Sequence, residues 1–306
     1  MRARVIGDAF LYVQRYDPAA DGRLRAAYLP KPLLGPHDVV ATDKTSDVGN
    51  MAWVGQALLQ LYANTGDMAY LTGAASIANW LQANAADDRG AGGYTGGDVP
   101  SGKKIRWKST EHNIDVYAFF TMLGAQTGDP RWAARAGSAK NFVASMWYPA
   151  QGRFYVGTLD DGVTPNKTFK PEDVNSWSYL AFANEQWAKA PDWDVAHLAV
   201  SQNGFSGVSF CSGDRSGVWF EGTAHLADTL EHRNTPGDHQ KAQTYLADVA
   251  YAQLHGLNGD GLGIIAASKN GLSDCDGDKY YASLHVGATA WYIMAANAVD
   301  PFLRLP

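Results

Sequence analysis

Five times along the chain, a stretch rich in glycine and aromatic residues runs into an acid, or in one case a histidine, that opens an apolar segment with helical spacing. The openings are Thr45-Ser46-Asp47, Ser109-Thr110-Glu111-His112, Glu172-Asp173, Trp219-Phe220-Glu221-Gly222-Thr223 and Ser283-Leu284-His285. Repetition on this scale means one supersecondary unit used several times, since a lone unit cannot bury its apolar face and must stack on copies of itself.

Residues 47–64 place apolar side chains almost all round a helix (Val48, Met51, Trp53, Val54, Leu58, Leu59, Leu61), which predicts a helix buried on every side. Thr65-Gly66-Asp67 then reads as an elbow, with Gly66 ending one helix and Asp67 capping the next. The next helix, 68–84, carries one stripe (Leu71, Ala74, Ile77, Ala78, Leu81) opposite polar residues, so it lies outside. The pattern returns with 110–126, the elbow Thr127-Gly128-Asp129 and the amphipathic 130–146, which starts on Pro130. Weaker copies are 173–188 with 192–202, and 219–233 with 238–256. Helix 285–298 has no downstream partner and amphipathic 2–16 no upstream one, so the ends are free to pair and close a ring. The Gly/Tyr/Phe loops 90–98, 151–158, 203–210 and 258–264 each precede an inner helix and read as short hairpins on one rim.

The 306 residues, 46% hydrophobic and 18% charged, suffice for a large core, and no linker or change of composition divides them. One domain, 1–306, is expected. A net charge of −6 without a basic run argues against nucleic acid, whose binding depends on counterion displacement, and disfavours anionic membranes. No apolar run reaches the roughly 18 residues of a membrane span, and residues 1–16 lack the build of a signal peptide. Cys211 and Cys275 both precede predicted inner helices; they either pair or stay as two thiols. There is no HExxH, P-loop or GxGxxG, so no metal or cofactor is expected. Asp274-Cys275-Asp276-Gly277-Asp278 begins like a calcium loop, but its twelfth position is His285 where a bidentate Glu is needed, and a polar turn is the better reading.

Alternating inner and outer helices, TGD elbows and Gly/Tyr rim loops resemble the α/α-toroid superfamily of glycoside hydrolases, polysaccharide lyases and sugar epimerases. The resemblance implies an all-α barrel of five to six helical hairpins, with the inner-helix N-termini and rim loops on one functional face. Five hairpins are counted where the commonest members have six. A pair hidden in 17–45, a smaller ring or an absent helix would account for the difference.

On that face Glu111, Glu221 and Asp47 are the candidate catalytic carboxylates. Glu111 and Asp115 share a helix face one turn apart, beside His112, and the aromatic surroundings of Glu111 would raise its pKa as a general acid requires. Glu221 follows two aromatics, Gly222 reads as space for a ligand, and His225, four residues on, shares the face of Glu221. Asp173 stands at an equivalent point, although Glu172 beside it suggests a solvated capping pair. Sugars stack C–H faces on flat rings, and Trp53, Trp107, Trp177, Trp219 and Tyr281 are the candidate platforms, with His112, Asp115, Asp173 and His285 as polar contacts to substrate.

The resulting expectation is a glycoside hydrolase acting on a polysaccharide or oligosaccharide. Glu111 donates a proton, Glu221 or Asp47 activates water, and the outcome is inversion, with the carboxyls about 6.5–9.5 Å apart. A polysaccharide lyase using His112, Asn113, Tyr117 and His285 is the alternative, and a non-catalytic glycan binder the third reading. Polymer degradation points to the periplasm or the exterior.

Overall fold

Because the inner segments are apolar on nearly every side, they can be satisfied only by helices on both flanks, and that is where they lie. The computed structural model describes residues 2–30, 35 and 38–302. Its described residues divide into two compact units: the chain to Ser145 with Gly157–Pro165 and Phe302, and Met146–Val156 with Asn166–Pro301.

In the first unit α1 (Arg2–Arg15) packs on α2 (Val48–Thr65) and α3 (Met68–Asn84), and α2 also packs on α4 (Thr110–Thr127), which pairs with α5 (Pro130–Ser145). Gly66 and Gly128 adopt φ of 69° and 66° and donate their N–H groups to Tyr62 O and Gly124 O, closing α2 and α4 as the elbows required. Asp67 caps α3 by accepting from Ala69 N–H. Strand β1 (Ala27–Tyr28) pairs with β2 (Ala41–Asp43) in the 17–45 interval, and β3 (Ser46–Asp47) with β4 (Gly97–Asp98) and β5 (Lys104–Ile105) on the rim. The described residues of 17–45 hold no α-helix; 31–34 and 36–37 lie outside the described residues.

In the second unit α8 (Phe220–Arg233) is flanked by α6 (Asp173–Phe182) and α10 (Val286–Ala296), with α7 (Ala190–Leu198) and α9 (Asp238–His255) packed on α8 from outside. Two boundaries differ from expectation. Helix α6 stops at Phe182, where Ala183 turns left-handed (φ 44°), instead of running to 188. Helix α7 ends at Leu198 because Ala199–Gln202 becomes β8, which pairs with β9 (Phe205–Val208) around an Asn203-Gly204 turn. Strand β6 (Trp147–Tyr148) pairs with β7 (Arg153–Phe154), and β10 (Leu272–Ser273) with β11 (Lys279–Tyr280). Cys211 and Cys275 form a disulfide.

One recurrent bond fixes rim to helix. Asn113 Oδ1 accepts from Tyr94 N–H (2.8 Å), Asn175 Oδ1 from Phe154 N–H (2.9 Å), Thr223 Oγ1 from Val208 N–H (3.1 Å) and Thr289 Oγ1 from Ile264 N–H (2.9 Å). Each acceptor stands three or four residues into an inner helix. Thr223→Val keeps the shape but strands the Val208 amide, a loss of about 1–3 kcal/mol. Urea unfolding should show a lower midpoint at unchanged slope.

Candidate functional site

The first unit gathers Asp47, His112 and Trp107. Asp47 caps α2, accepting from Gly49 N–H at 3.0 Å and Asn50 N–H at 3.4 Å, and its Oδ1 lies 3.5 Å from His112 Nε2. The His112 ring has room because residue 49 is glycine: a Cβ there would fall 2.6 Å from His112 Cδ2. Trp107 meets the His112 ring at 5.8 Å between centroids. Glu111 sits half-buried in the first turn of α4, whose side-chain cap is supplied by Ser109. Asp115 is fully buried within α4, and Trp53 packs against Phe302.

The second unit holds a denser cluster. Glu172 and Asp173 were expected as a solvated capping pair, yet they are 0% and 4% exposed. Helix α8 packs on α6, Trp177 of α6 stacks on Trp291 of α10, and Glu172 turns inward instead of capping. Its Oε1 accepts from the Ser176 hydroxyl, and Oε2 lies 3.0 Å from His225 Nδ1. Burial, reinforced by the charge of Asp194, holds the Glu172 carboxyl well above the usual carboxylate range. Asp173 accepts from Val174 N–H at 2.6 Å, which opposes its rise, but burial still lifts it to about 7. Burial also raises Asp194, whose Oδ1 accepts from Asn175 Nδ2 at 2.7 Å.

Glu221 lies in the first turn of α8 with a partly exposed carboxyl. Burial first, then the neighbouring charge of Asp173, pushes it up to about 8. Its Oε2 is 3.3 Å from His285 Nδ1, and that nitrogen already accepts from Ala288 N–H as the cap of α10. A nitrogen that accepts from a backbone amide has no proton of its own, so His285 Nδ1 offers the Glu221 carboxyl no donor. Burial lowers His285, consistent with a neutral ring. Gly287 provides the space: a Cβ there would sit 2.5 Å from Glu221 Oε1.

Indoles wall the cluster. Trp177 stacks on Trp291 at 5.5 Å, and both, with Trp219, contact the His225 ring. Trp219, expected on the rim, is 3% exposed and packs on Phe210 and Tyr280. The space that Gly222 leaves is filled by that ring, since a Cβ on Gly222 would fall within contact of Trp219 Cε3. Tyr281 is 53% exposed. Asp274 Oδ1 accepts from the amides of Asp276, Gly277 and Asp278, which makes the acidic pentapeptide a closed polar turn.

Asp194 and Trp291 were not among the residues singled out from sequence, and Glu172 was read only as a capping acid. The spacing Glu172 to Ser176, with Trp177 next, was the available signal that this acid faces inward.

No family model matches the chain, and no curated protein matches it in sequence. Solved structures do match. A sugar epimerase from a ruminal bacterium aligns at TM-score 0.64 with 11% identity, over 86% of this chain and 75% of its own. The cellobiose 2-epimerase of Spirochaeta thermophila gives 0.61 at 15% identity, over 87% and 73%. The α-1,6-mannanase of Salegentibacter sp., a family 76 glycoside hydrolase, gives 0.56 at 17% identity, over 82% and 75%. The chain has the α/α-toroid fold.

Two consequences can be measured. Gly287→Ala should drive the Glu221 carboxyl toward water and bring its pKa down from about 8, read by ¹³C NMR of labelled glutamate. The second concerns stability. The folded state keeps Asp173 and Glu221 protonated up to about 7 and about 8, where ordinary values are 3.8 and 4.5. Their contribution is fully present below the ordinary values and is lost as pH rises through the folded ones. Wild-type Tm should therefore fall across that window, and Glu221→Gln should flatten the decline.

Proposed function

We propose that the protein is a carbohydrate-active enzyme, an inverting glycoside hydrolase in which Glu221 is the general acid and Asp173 the base. The observation that carries this reading is Glu221, a partly exposed carboxyl that burial keeps protonated to about 8. A general acid must hold its proton at working pH while staying within reach of the leaving oxygen. Asp173 differs in kind: the Val174 amide and the α6 N-terminus both favour its anion. The proton of Glu221 passes to the glycosidic oxygen, which keeps the electron pair of the breaking C1–O bond. Water adds its oxygen to C1 from the opposite face and gives its proton to Asp173. The acid thus moves from Glu111, the sequence preference, to Glu221.

Two further facts support the reading. In the Salegentibacter mannanase, a variant with two consecutive aspartates changed to asparagine is described as inactive. Here the consecutive acids Glu172-Asp173 are buried at a helix start, whereas Asp87-Asp88 and Asp160-Asp161 reach solvent. Tyr281, 53% exposed, and the half-buried Tyr280 suit the C–H faces of a sugar, whereas the indoles around His225 are buried. The disulfide fits an oxidising compartment, hence a periplasmic or secreted protein.

Epimerisation is the second reading, favoured by the neutral histidines His225 and His285 beside Glu221. Incubation with α-mannan, cellobiose and a wider glycan panel in D₂O separates the possibilities. New reducing ends without enone absorbance mean hydrolysis, and deuterium at C2 without new ends means epimerisation. Enone absorbance would indicate a lyase, and retention alone a binder. Glu221→Gln should lower kcat by about 10²–10⁴-fold, and full activity in that variant would remove Glu221 from the reaction.

A further inference from the structure

Behind Glu221 runs a line of polar groups that the hydrolytic step leaves unused. Ser176 Oγ donates to Glu172 Oε1, Glu172 Oε2 is 3.0 Å from His225 Nδ1, and His225 Nε2 is 3.9 Å from Glu221 Oε1. Glu172 and His225 are both wholly buried. His225 is ringed by Trp177, Trp219 and Trp291, with centroids 5.0, 5.2 and 4.3 Å away. Its Nε2 makes no hydrogen bond among the described residues. A histidine kept only for packing should satisfy both ring nitrogens, because an orphaned polar atom in the interior costs about 1–3 kcal/mol. Here one nitrogen is tied down, and the other is left facing the candidate acid.

We propose that Glu172, as a buried neutral acid, donates to His225 Nδ1 and so fixes the Nε2–H tautomer, whose N–H stabilises the Glu221 carboxylate as it forms. The inference rests on reading Glu221 as the general acid. A protonated carboxyl has one O–H to give and one carbonyl oxygen to receive. Glu172 uses both, Oε2–H toward His225 and Oε1 toward the Ser176 hydroxyl. The reverse arrangement, an anionic Glu172 accepting from Nδ1–H, would leave a net charge in a box of indoles and place a lone pair, not a donor, toward Glu221. Burial lifts Glu172 and lowers His225, in agreement with two neutral groups. Asp173 from α6, Asp194 from α7 and Tyr245 from α9 also lie in electrostatic reach of this pair, and α10 contributes Trp291, with His285 held on the far side of Glu221. The acids among them would repel an anionic Glu172, so they reinforce the neutral state. Glu172 and His225 are positioning residues: neither donates to substrate, and both act through Glu221.

The wild-type protein provides the first test. ¹⁵N NMR of labelled histidine should show His225 neutral with its proton on Nε2 at pH 7, and a proton on Nδ1 would overturn the proposal. The second test uses sign. His225→Phe removes the donor, so the Glu221 pKa, followed by ¹³C NMR without substrate, should rise by about one to two units. Were Nε2 instead the acceptor of the Glu221 proton, the same substitution would lower that pKa, and the proposal would fail. With substrate, His225→Phe should lose about 10- to 100-fold in kcat, the scale of a hydrogen bond to a charged group, and its basic pH limb should move upward. Neither NMR readout depends on turnover. A correct tautomer with no hydrolysis on any glycan would sink the acid assignment alone, whereas hydrolysis with the wrong tautomer would sink this inference alone.

Discussion

A rim loop of glycines and aromatics cannot place itself, and everything at the candidate site depends on how such loops are tied to the helices beneath them. The tie is one side-chain bond repeated on four inner helices. Asn113, Asn175, Thr223 and Thr289 each accept the amide of a rim residue. Three of them also donate to the carbonyl of the residue that opens the helix, Ser109, Trp219 or His285. One polar side chain thus satisfies a buried loop amide and locks the first turn of the helix. Buried amides demand a partner, so loop and helix N-terminus are fixed together, and the residues between them, His112 and Glu221 among others, inherit that precision. Asn175 departs usefully from the pattern. Its second bond goes to Asp194, which brings a further carboxylate into the cluster.

Space is engineered with equal economy. Asp47-Val48-Gly49 and His285-Val286-Gly287 are the same device used twice: a capping side chain, an apolar residue and a glycine in the first turn. In each unit the glycine makes room for a polar group on the neighbouring inner helix, His112 beside Gly49 and Glu221 beside Gly287, and the capping residue bonds or faces that group. The likeness shows that the repeat extends from the backbone into the chemistry of its N-termini. The second unit adds what the first lacks among its described contacts, a buried carboxyl-histidine pair in an indole box.

Much of this was legible in the sequence, because helix periodicity and elbow chemistry are local. Gly66 and Gly128 end their helices in the left-handed conformation for reasons visible in Thr-Gly-Asp alone, and 68–84 has the expected bounds to the residue. Failures came where a long-range partner overrides local preference. Residues 183–188 have the composition to continue α6, and 199–202 to continue α7. The left-handed Ala183 and the pairing of β8 with β9 decide otherwise. The site shows the same division. Glu221, Asp173, Trp177 and His285 were candidates from their place at or near helix starts and lie in the cluster, but Glu172 was set aside as a surface cap. Nothing in Glu172-Asp173 says that neighbouring helices bury it; that depends on contacts far along the chain, including His225, 53 residues away. Gly222 was misread for a related reason: a glycine announces space, and only the fold says that the Trp219 ring fills it.

The buried acids carry a cost that packing alone does not call for. Glu172, Asp173, Asp194 and Glu221 are all raised by burial, and a carboxyl taken from water stays neutral at the expense of stability near neutral pH. A fold optimised for stability would replace them with apolar side chains of similar volume, as often succeeds for buried polar groups. Three of the four instead keep specific donors, from Ser176, Val174 and Asn175, which hold each carboxyl in one orientation. Glu221 alone is left partly open, leaning on a histidine nitrogen already occupied by a backbone amide. Oriented acids surrounding one accessible proton are the arrangement that the proposed proton transfer needs and that packing does not.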